Sequence, residues 1–215
     1  MKNKLLLIGG GLLVIVLLIV TMILPQDKEE SNVVNLDYES KNPIVKMDIK
    51  EYGSILIELY PDVAPNTVNS FISLIKDGYY DNNTFHRLVP GFVLQGGDPT
   101  GTGSGGPGYK IKGEFTNNGF KNDLAHDKWV VSMARGSYSM DSAGGQFFIC
   151  IDDAHNLDGN YAAFGKVVEG FDIIDKIVEN EKIADESTGK LVENLTIEKT
   201  VIDLKGKKYP EPEKM

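Results

Sequence analysis

The chain has 215 residues, a formal net charge of −9 and one cysteine. The acidic balance argues against a nucleic-acid reader, which would show a basic face, and against an anionic membrane surface as the main docking site. One cysteine excludes an internal disulfide and a cysteine-rich metal site, and Cys150 lies in an apolar run (147–151) that reads as a buried structural thiol.

Residues 1–4 carry Lys2 and Lys4, and residues 5–24 then run for twenty positions without a charge before Pro25. At about 1.5 Å per residue such a stretch spans a hydrocarbon core of roughly 30 Å. The exit, Thr21-Met22-Ile23-Leu24-Pro25, lacks a small-x-small cleavage site, and no cysteine follows it for lipid attachment. The expectation is an uncleaved transmembrane anchor, with Lys2 and Lys4 in the cytoplasm and the rest outside. A signal peptide cleaved at a poor site, releasing a secreted protein, is the alternative. Without Lys2 and Lys4 the net charge is −11.

Residues 25–42 are polar and acidic and read as a linker. From residue 43 the pattern is globular. Val45, Met47 and Ile49 alternate with Lys46, Asp48 and Lys50, and Ile55, Ile57 and Leu59 alternate after Tyr52-Gly53, which predicts a hairpin. Pro65-Asn66-Thr67 opens a helix with Val68, Phe71, Ile72 and Ile75 on one face and Gly78 past its end. Strands are then expected at 84–87, 92–96, 129–134, 146–151, 162–167 and 195–203. A second short helix is expected at 171–178, with Phe171, Ile174 and Val178 on one side. Residues 180–194 read as an acidic loop, and the charged tail 205–215, with Pro210 and Pro212, as disordered. The fold class is mainly β: an eight-stranded closed antiparallel barrel over 43–204, capped by two α-helices and preceded by the transmembrane helix.

Gly101-Thr102-Gly103-Ser104-Gly105-Gly106 matches a dinucleotide motif by letters only, because no helix follows and no βαβ unit surrounds it. A flexible surface loop over 98–108 is the better account. His86, His126 and His155 show no zinc-binding spacing, so no metal is expected. Gly103-Ser104-Gly105 lacks the spacing of a hydrolase nucleophile turn. The segment Phe85-His86-Arg87-Leu88-Val89-Pro90-Gly91-Phe92-Val93-Leu94-Gln95-Gly96-Gly97-Asp98 is different. It sets an arginine, an aromatic ring and a glutamine within nine positions. An arginine near an apolar strand needs a partner or a ligand, but on these residues alone a surface arginine packing its stem is the favoured reading.

This segment resembles the signature of the cyclophilin family of peptidyl-prolyl isomerases. Val131-Ser132-Met133-Ala134-Arg135 with Gly145-Gln146-Phe147-Phe148-Ile149 resembles the family's second block. Leu157-Asp158-Gly159-Asn160-Tyr161 with Phe164-Gly165-Lys166-Val167 resembles its third, and Val168-Glu169-Gly170 leads into a short helix as in the family. These ordered blocks cover about 160 residues. The resemblance implies a monomeric enzyme that rotates X–Pro peptide bonds and needs no cofactor. It assigns catalysis to Arg87, Phe92 and Gln95. Phe92, Phe148 and Leu157 would line a proline slot; from the residues alone each also reads as barrel core, and for Phe148 barrel core is the favoured reading. Gln95 and Gln146 would hold the substrate backbone, Ala134 and Arg135 would offer main-chain groups, and His86 would sit at the rim. The chain departs from the family at four positions. Tyr161 replaces a common histidine, Val93 a common methionine and Arg135 an asparagine of some members. Asn156 replaces a tryptophan associated with tight cyclosporin A binding, so weak inhibition by that drug is expected. The resemblance and the anchor together imply a foldase acting on proline-containing polypeptides outside a bacterial membrane. A non-catalytic proline-binding chaperone and an envelope scaffold are the alternatives.

Overall fold

A computed structural model describes residues 31–215. The stub 1–4 and the expected anchor 5–24 lie outside the described residues, among which no helix is long and apolar enough to cross a membrane. The elements in chain order are β1 (Ile44–Ile49), β2 (Gly53–Leu59), α1 (Pro65–Lys76), β3 (Asn83–Val89), β4 (Val93–Gly96), β5 (Val130–Met133), β6 (Phe147–Cys150), β7 (Ala162–Glu169), α2 (Phe171–Asn180), β8 (Ile183–Asp185) and β9 (Lys190–Asp203). Every strand pairing is antiparallel. The order β1-β2-β7-β5-β6-β4-β3-β9 closes on itself because β1 also pairs with β9, giving the expected eight-stranded barrel. Closure removes the edges that an open sheet would leave unpaired.

Alternation along the strands sends Val45, Met47, Ile57, Leu94, Val131, Phe147, Ile149 and Phe164 into one apolar core. Helix α1 buries Phe71 against Tyr80, Phe147 and Phe164, with ring centroids 4.8, 5.5 and 5.0 Å away. Its first turn has no capping side chain of its own, since Ala64 stands at the N-cap. The Glu114 carboxylate supplies the acceptors instead, taking Asn66 N–H at 3.0 Å and Thr67 N–H at 2.7 Å. Gly78 ends the helix at φ 71°, a conformation that favours glycine.

Four expectations change. The linker is not free from Asn32 onward. Val33 bridges to Ile202, the buried Asn32 amide donates to Ile75 O at 2.7 Å, and Leu36 N–H donates to the Asp203 carboxylate at 2.9 Å. Residues 180–194 are not a loop throughout: Ile183 and Asp185 pair with Leu191 and Lys190 in a hairpin. In α2, Ile174 and Ile177 are buried while Phe171 is 39% exposed, because Phe171 opens the helix and packs outward on Trp129. The tail 205–215 does not hang free. Glu213 N–H and Asn66 Oδ1, Met215 N–H and Lys110 O, and Ser73 Oγ and Glu211 are bonded, and Pro212 is buried. Its charges hid this docking, because the contacts are scattered hydrogen bonds, one tyrosine and one proline ring rather than an apolar stripe. Deleting residues 209–215 is therefore expected to cost about 2 kcal/mol and lower Tm by about 4–8 °C in a thermal melt. An unchanged Tm would show that the docked tail adds nothing.

Candidate active site

Strand parity decides which residues face outward. On β4, Leu94 points into the core, so Val93 and Gln95 lie on the opposite face. On β6, Phe147 and Ile149 are core, so Phe148 and Cys150 lie outside it. Strand β3 breaks parity. Phe85 and Leu88 are both in the core, three positions apart, which strict alternation forbids. The register shifts between Phe85 and Arg87 on both neighbouring ladders. This bulge turns Arg87 outward; without it Arg87 would share Phe85's inward face. The cross-strand register then aligns Arg87 with Gln95, Gln95 with Phe148 and Phe148 with Ser132.

That row carries both halves of a site. Val93, Phe148, Cys150, Ala154 and Leu157 form a second apolar cluster separate from the barrel core, with Phe92, Ala134 and Tyr161 packed against it. The Phe148 and Tyr161 rings meet edge to face at 5.6 Å. Beside it runs a polar relay. Arg87 Nε donates to Thr188 O at 2.7 Å and its Nη1 to Gln95 Oε1 at 3.1 Å. Gln95 Nε2 donates to Gln146 Oε1 at 3.1 Å, and Gln146 Nε2 donates to Gly103 O and Gly105 O at 3.0 and 2.9 Å. Each side chain fixes the next, so Arg87 is held with two of its five N–H donors engaged. Burial lowers its pKa, partly opposed by Tyr161, but a guanidinium stays charged at any physiological pH.

The glycine loop after β4 is built rather than flexible. Buried Asp98 accepts Thr100 N–H at 2.7 Å, Thr102 N–H at 3.1 Å and Gly103 N–H at 2.6 Å. Burial alone would raise its pKa; bonds from Gly105, Thr100 and Gly103 more than offset this and hold the carboxyl at about 2. A Cβ at Gly105 would collide with that carboxylate. Behind Phe148, the buried His126 ring stacks at 6.0 Å, with Nδ1 bonded to Asp158 at 2.8 Å and Nε2 to Ser132 Oγ at 2.9 Å. Burial lowers the His126 pKa against the pull of Asp158. Ser132 is fully buried, so this chain of bonds fixes the slot's floor and offers no nucleophile. Burial likewise pushes the Cys150 thiol up to about 12, keeping it protonated.

The family "Cyclophilin type peptidyl-prolyl cis-trans isomerase/CLD" matches residues 44–202. The chain belongs to this cyclophilin family. It is 43% identical over 133 residues to a peptidyl-prolyl cis-trans isomerase of Helicobacter pylori, covering 61% of this chain and 78% of that one. It is 44% identical over 124 residues to peptidyl-prolyl cis-trans isomerase B of Bacillus subtilis, covering 58% and 82%. A crystal structure of a cyclophilin type isomerase from Cryptosporidium parvum in the presence of the dipeptide Ala-Pro superposes with a TM-score of 0.66. Its sequence is 33% identical, with 74% of this chain and 98% of that one covered.

The cyclophilin barrel brings together Arg87, Gln95 and Gln146 in the relay and Phe92, Val93, Ala134, Phe148, Leu157 and Tyr161 in the slot. Phe148 is slot and not barrel core. Arg135 is held beside them, its guanidinium 4.9 Å from the Tyr161 ring centroid and 5.3 Å from that of Phe115. His86 differs from expectation: it is 5% exposed, with neither ring nitrogen hydrogen-bonded, under Gly103 rather than at an open rim. The bulge at this position turns it beneath the loop. Asn156 is exposed on the turn His155–Leu157. On the surface beside it Asp127, Asp153 and His155 bring ligand-type atoms within 4.8 Å of one another. Sequence reasoning missed Asp98 and Thr188. An aspartate opening a Gly/Thr-rich loop is a known turn signal that would have found Asp98. Thr188 acts through its carbonyl, so its side chain carried no signal.

Proposed function

We propose that the chain accelerates rotation about X–Pro bonds in polypeptides emerging on the outer side of a cell membrane, acting as a tethered monomer. The observation that carries the isomerase reading is the Arg87–Gln95–Gln146 relay set edge-on to the apolar slot. An X–Pro amide resists twisting by about 18–20 kcal/mol because resonance holds C–N planar. No bond breaks, so the enzyme has only to bind the twisted amide better than either planar isomer. The slot takes the proline ring by burying its apolar surface. Arg87 then donates to the prolyl nitrogen, which gains a lone pair as the amide twists and has none to offer while planar. Gln95 keeps the guanidinium aimed. This is stabilisation of the transition state alone, the kind that raises kcat.

The membrane part of the reading rests on the sequence: twenty uncharged residues at 5–24 behind Lys2 and Lys4. Because Asn32, Val33 and Leu36 are bonded to the barrel, residues 25–31 alone would separate anchor and domain. Seven residues reach at most about 25 Å, so the enzyme would work close to the bilayer. A proline-isomerisation assay with the full chain tests the activity, and absence of any rate gain on a short X–Pro peptide would refute it. Recovery of the Lys2-containing peptide from the mature, membrane-bound protein tests the tether; its loss would mark a cleaved, secreted form.

A further inference from the structure

A cavity of about 270 Å³ opens beside the proline slot. It shares Ala134 with the slot and Gln95 and Gln146 with the relay, so it adjoins the place where a peptide would seat. Much of its wall is glycine backbone, which lets a substrate side chain approach closely. The charged residues lining it are Lys110 and Arg135, and no acid lines it. Among the described residues neither cation forms an ion pair. The acids nearest in sequence to the lining are occupied. Asp98 takes the loop amides, and Asp141 takes Gly113 N–H at 3.0 Å and Asn118 Nδ2 at 2.7 Å.

Arg135 has its guanidinium held in place, whereas Lys110 is exposed and held only through its backbone. Arg135 lies over the Tyr161 and Phe115 rings and donates Nε to Asn160 O at 3.0 Å and Nη1 to Gly136 O at 3.2 Å. The Lys110 carbonyl accepts Met215 N–H at 2.8 Å, which pins its backbone. The pre-positioned Arg135 guanidinium loses little freedom on meeting an anion, and the Lys110 ammonium adds a second positive charge to the same wall. Two unpaired cations sharing a cavity on a chain of net charge −9 run against the general field of the molecule, and that contrast points to a carboxylate partner.

We propose that this cavity selects substrates with a glutamate or aspartate within about three residues of the proline, roughly 10 Å of extended chain. The inference rests on the isomerase reading above and names its substrate class. The test measures kcat/KM of the full chain on X–Pro peptides carrying Glu, Gln or Lys at each of three positions before and after the proline. At one position Glu is expected to exceed Gln by about fivefold and Lys by about tenfold, shrinking in 1 M salt. Lys110→Glu and Arg135→Gln should each pull that Glu-to-Lys ratio toward one, a ratio that general loss of folding or of slot packing does not move. Equal rates for Glu, Gln and Lys at every position would overturn the inference while leaving the isomerase reading intact. A preference untouched by both variants would overturn its assignment to this cavity. No rate gain on any peptide, the Gln series included, would overturn both readings.

Discussion

Replacing Arg87 with alanine is expected to lower kcat/KM on an X–Pro peptide by about 100-fold, the usual cost of one donor aimed at a transition state. The drop should fall on kcat as much as on kcat/KM. The bond to the prolyl nitrogen forms only as the amide twists, so removing it leaves ground-state binding nearly untouched. Stability is expected to change by less than about 1 kcal/mol, because Arg87 is half-buried on the outer face and its loss opens no core cavity. Arg87→Lys separates charge from geometry. A lysine keeps the positive charge but cannot donate at once to Thr188 O, to Gln95 Oε1 and to a substrate. It should therefore recover little of the lost rate. Stopped-flow isomerisation with both variants, alongside their melting curves, decides the matter. Full activity in Arg87→Ala would leave the fold and family untouched and remove the proposed mechanism.

Most of the fold was legible because the barrel strands carry a period of two and α1 a period near 3.6. What periodicity could not show was which face of a strand is the inside when both faces are apolar. Phe147-Phe148-Ile149-Cys150 is buried at every position, so its pattern is silent on which rings are core. The family resemblance, not the spacing, placed Phe148 in the slot. His86 failed for a related reason. A bulge shifts parity by one residue, and nothing in the letters around Phe85-His86-Arg87 marks it. The docking of linker and tail is illegible in the sequence because it rests on single hydrogen bonds of Asn32, Leu36, Glu211 and Glu213 and on one buried proline. Hydrophobic periodicity reports none of these. In the sequence the glycines dominate the loop after Asp98, while its physics lies in the single buried charge that they wrap.

That charge gives the second large effect. Asp98→Ala removes the buried acceptor that the amides of Thr100, Thr102 and Gly103 share. With the folded carboxyl at about 2 against an ordinary 3.8, its ionised form contributes about 2 kcal/mol. The sign follows from the depressed pKa. The contribution is complete above the unfolded value, so the variant should be about 2 kcal/mol less stable at pH 7. As pH falls from about 5 through about 2, the native carboxylate is protonated and wild type loses the advantage, so the two denaturation midpoints should converge. Urea titrations at pH 7, 4 and 3 measure this directly, and a gap that stays constant across them would show that the stabilisation is not carried by the ionised carboxylate. The same substitution reaches the site through the loop. Gln146 Nε2 is anchored on the carbonyls of Gly103 and Gly105, so a slack loop frees Gln146, then Gln95, then the aim of Arg87. A loss of about tenfold in kcat/KM is expected in Asp98→Ala even at a temperature where the variant is fully folded, since small misplacement of a positioning chain is costly. A folded variant with wild-type kcat would mean that the relay holds Arg87 without help from the loop.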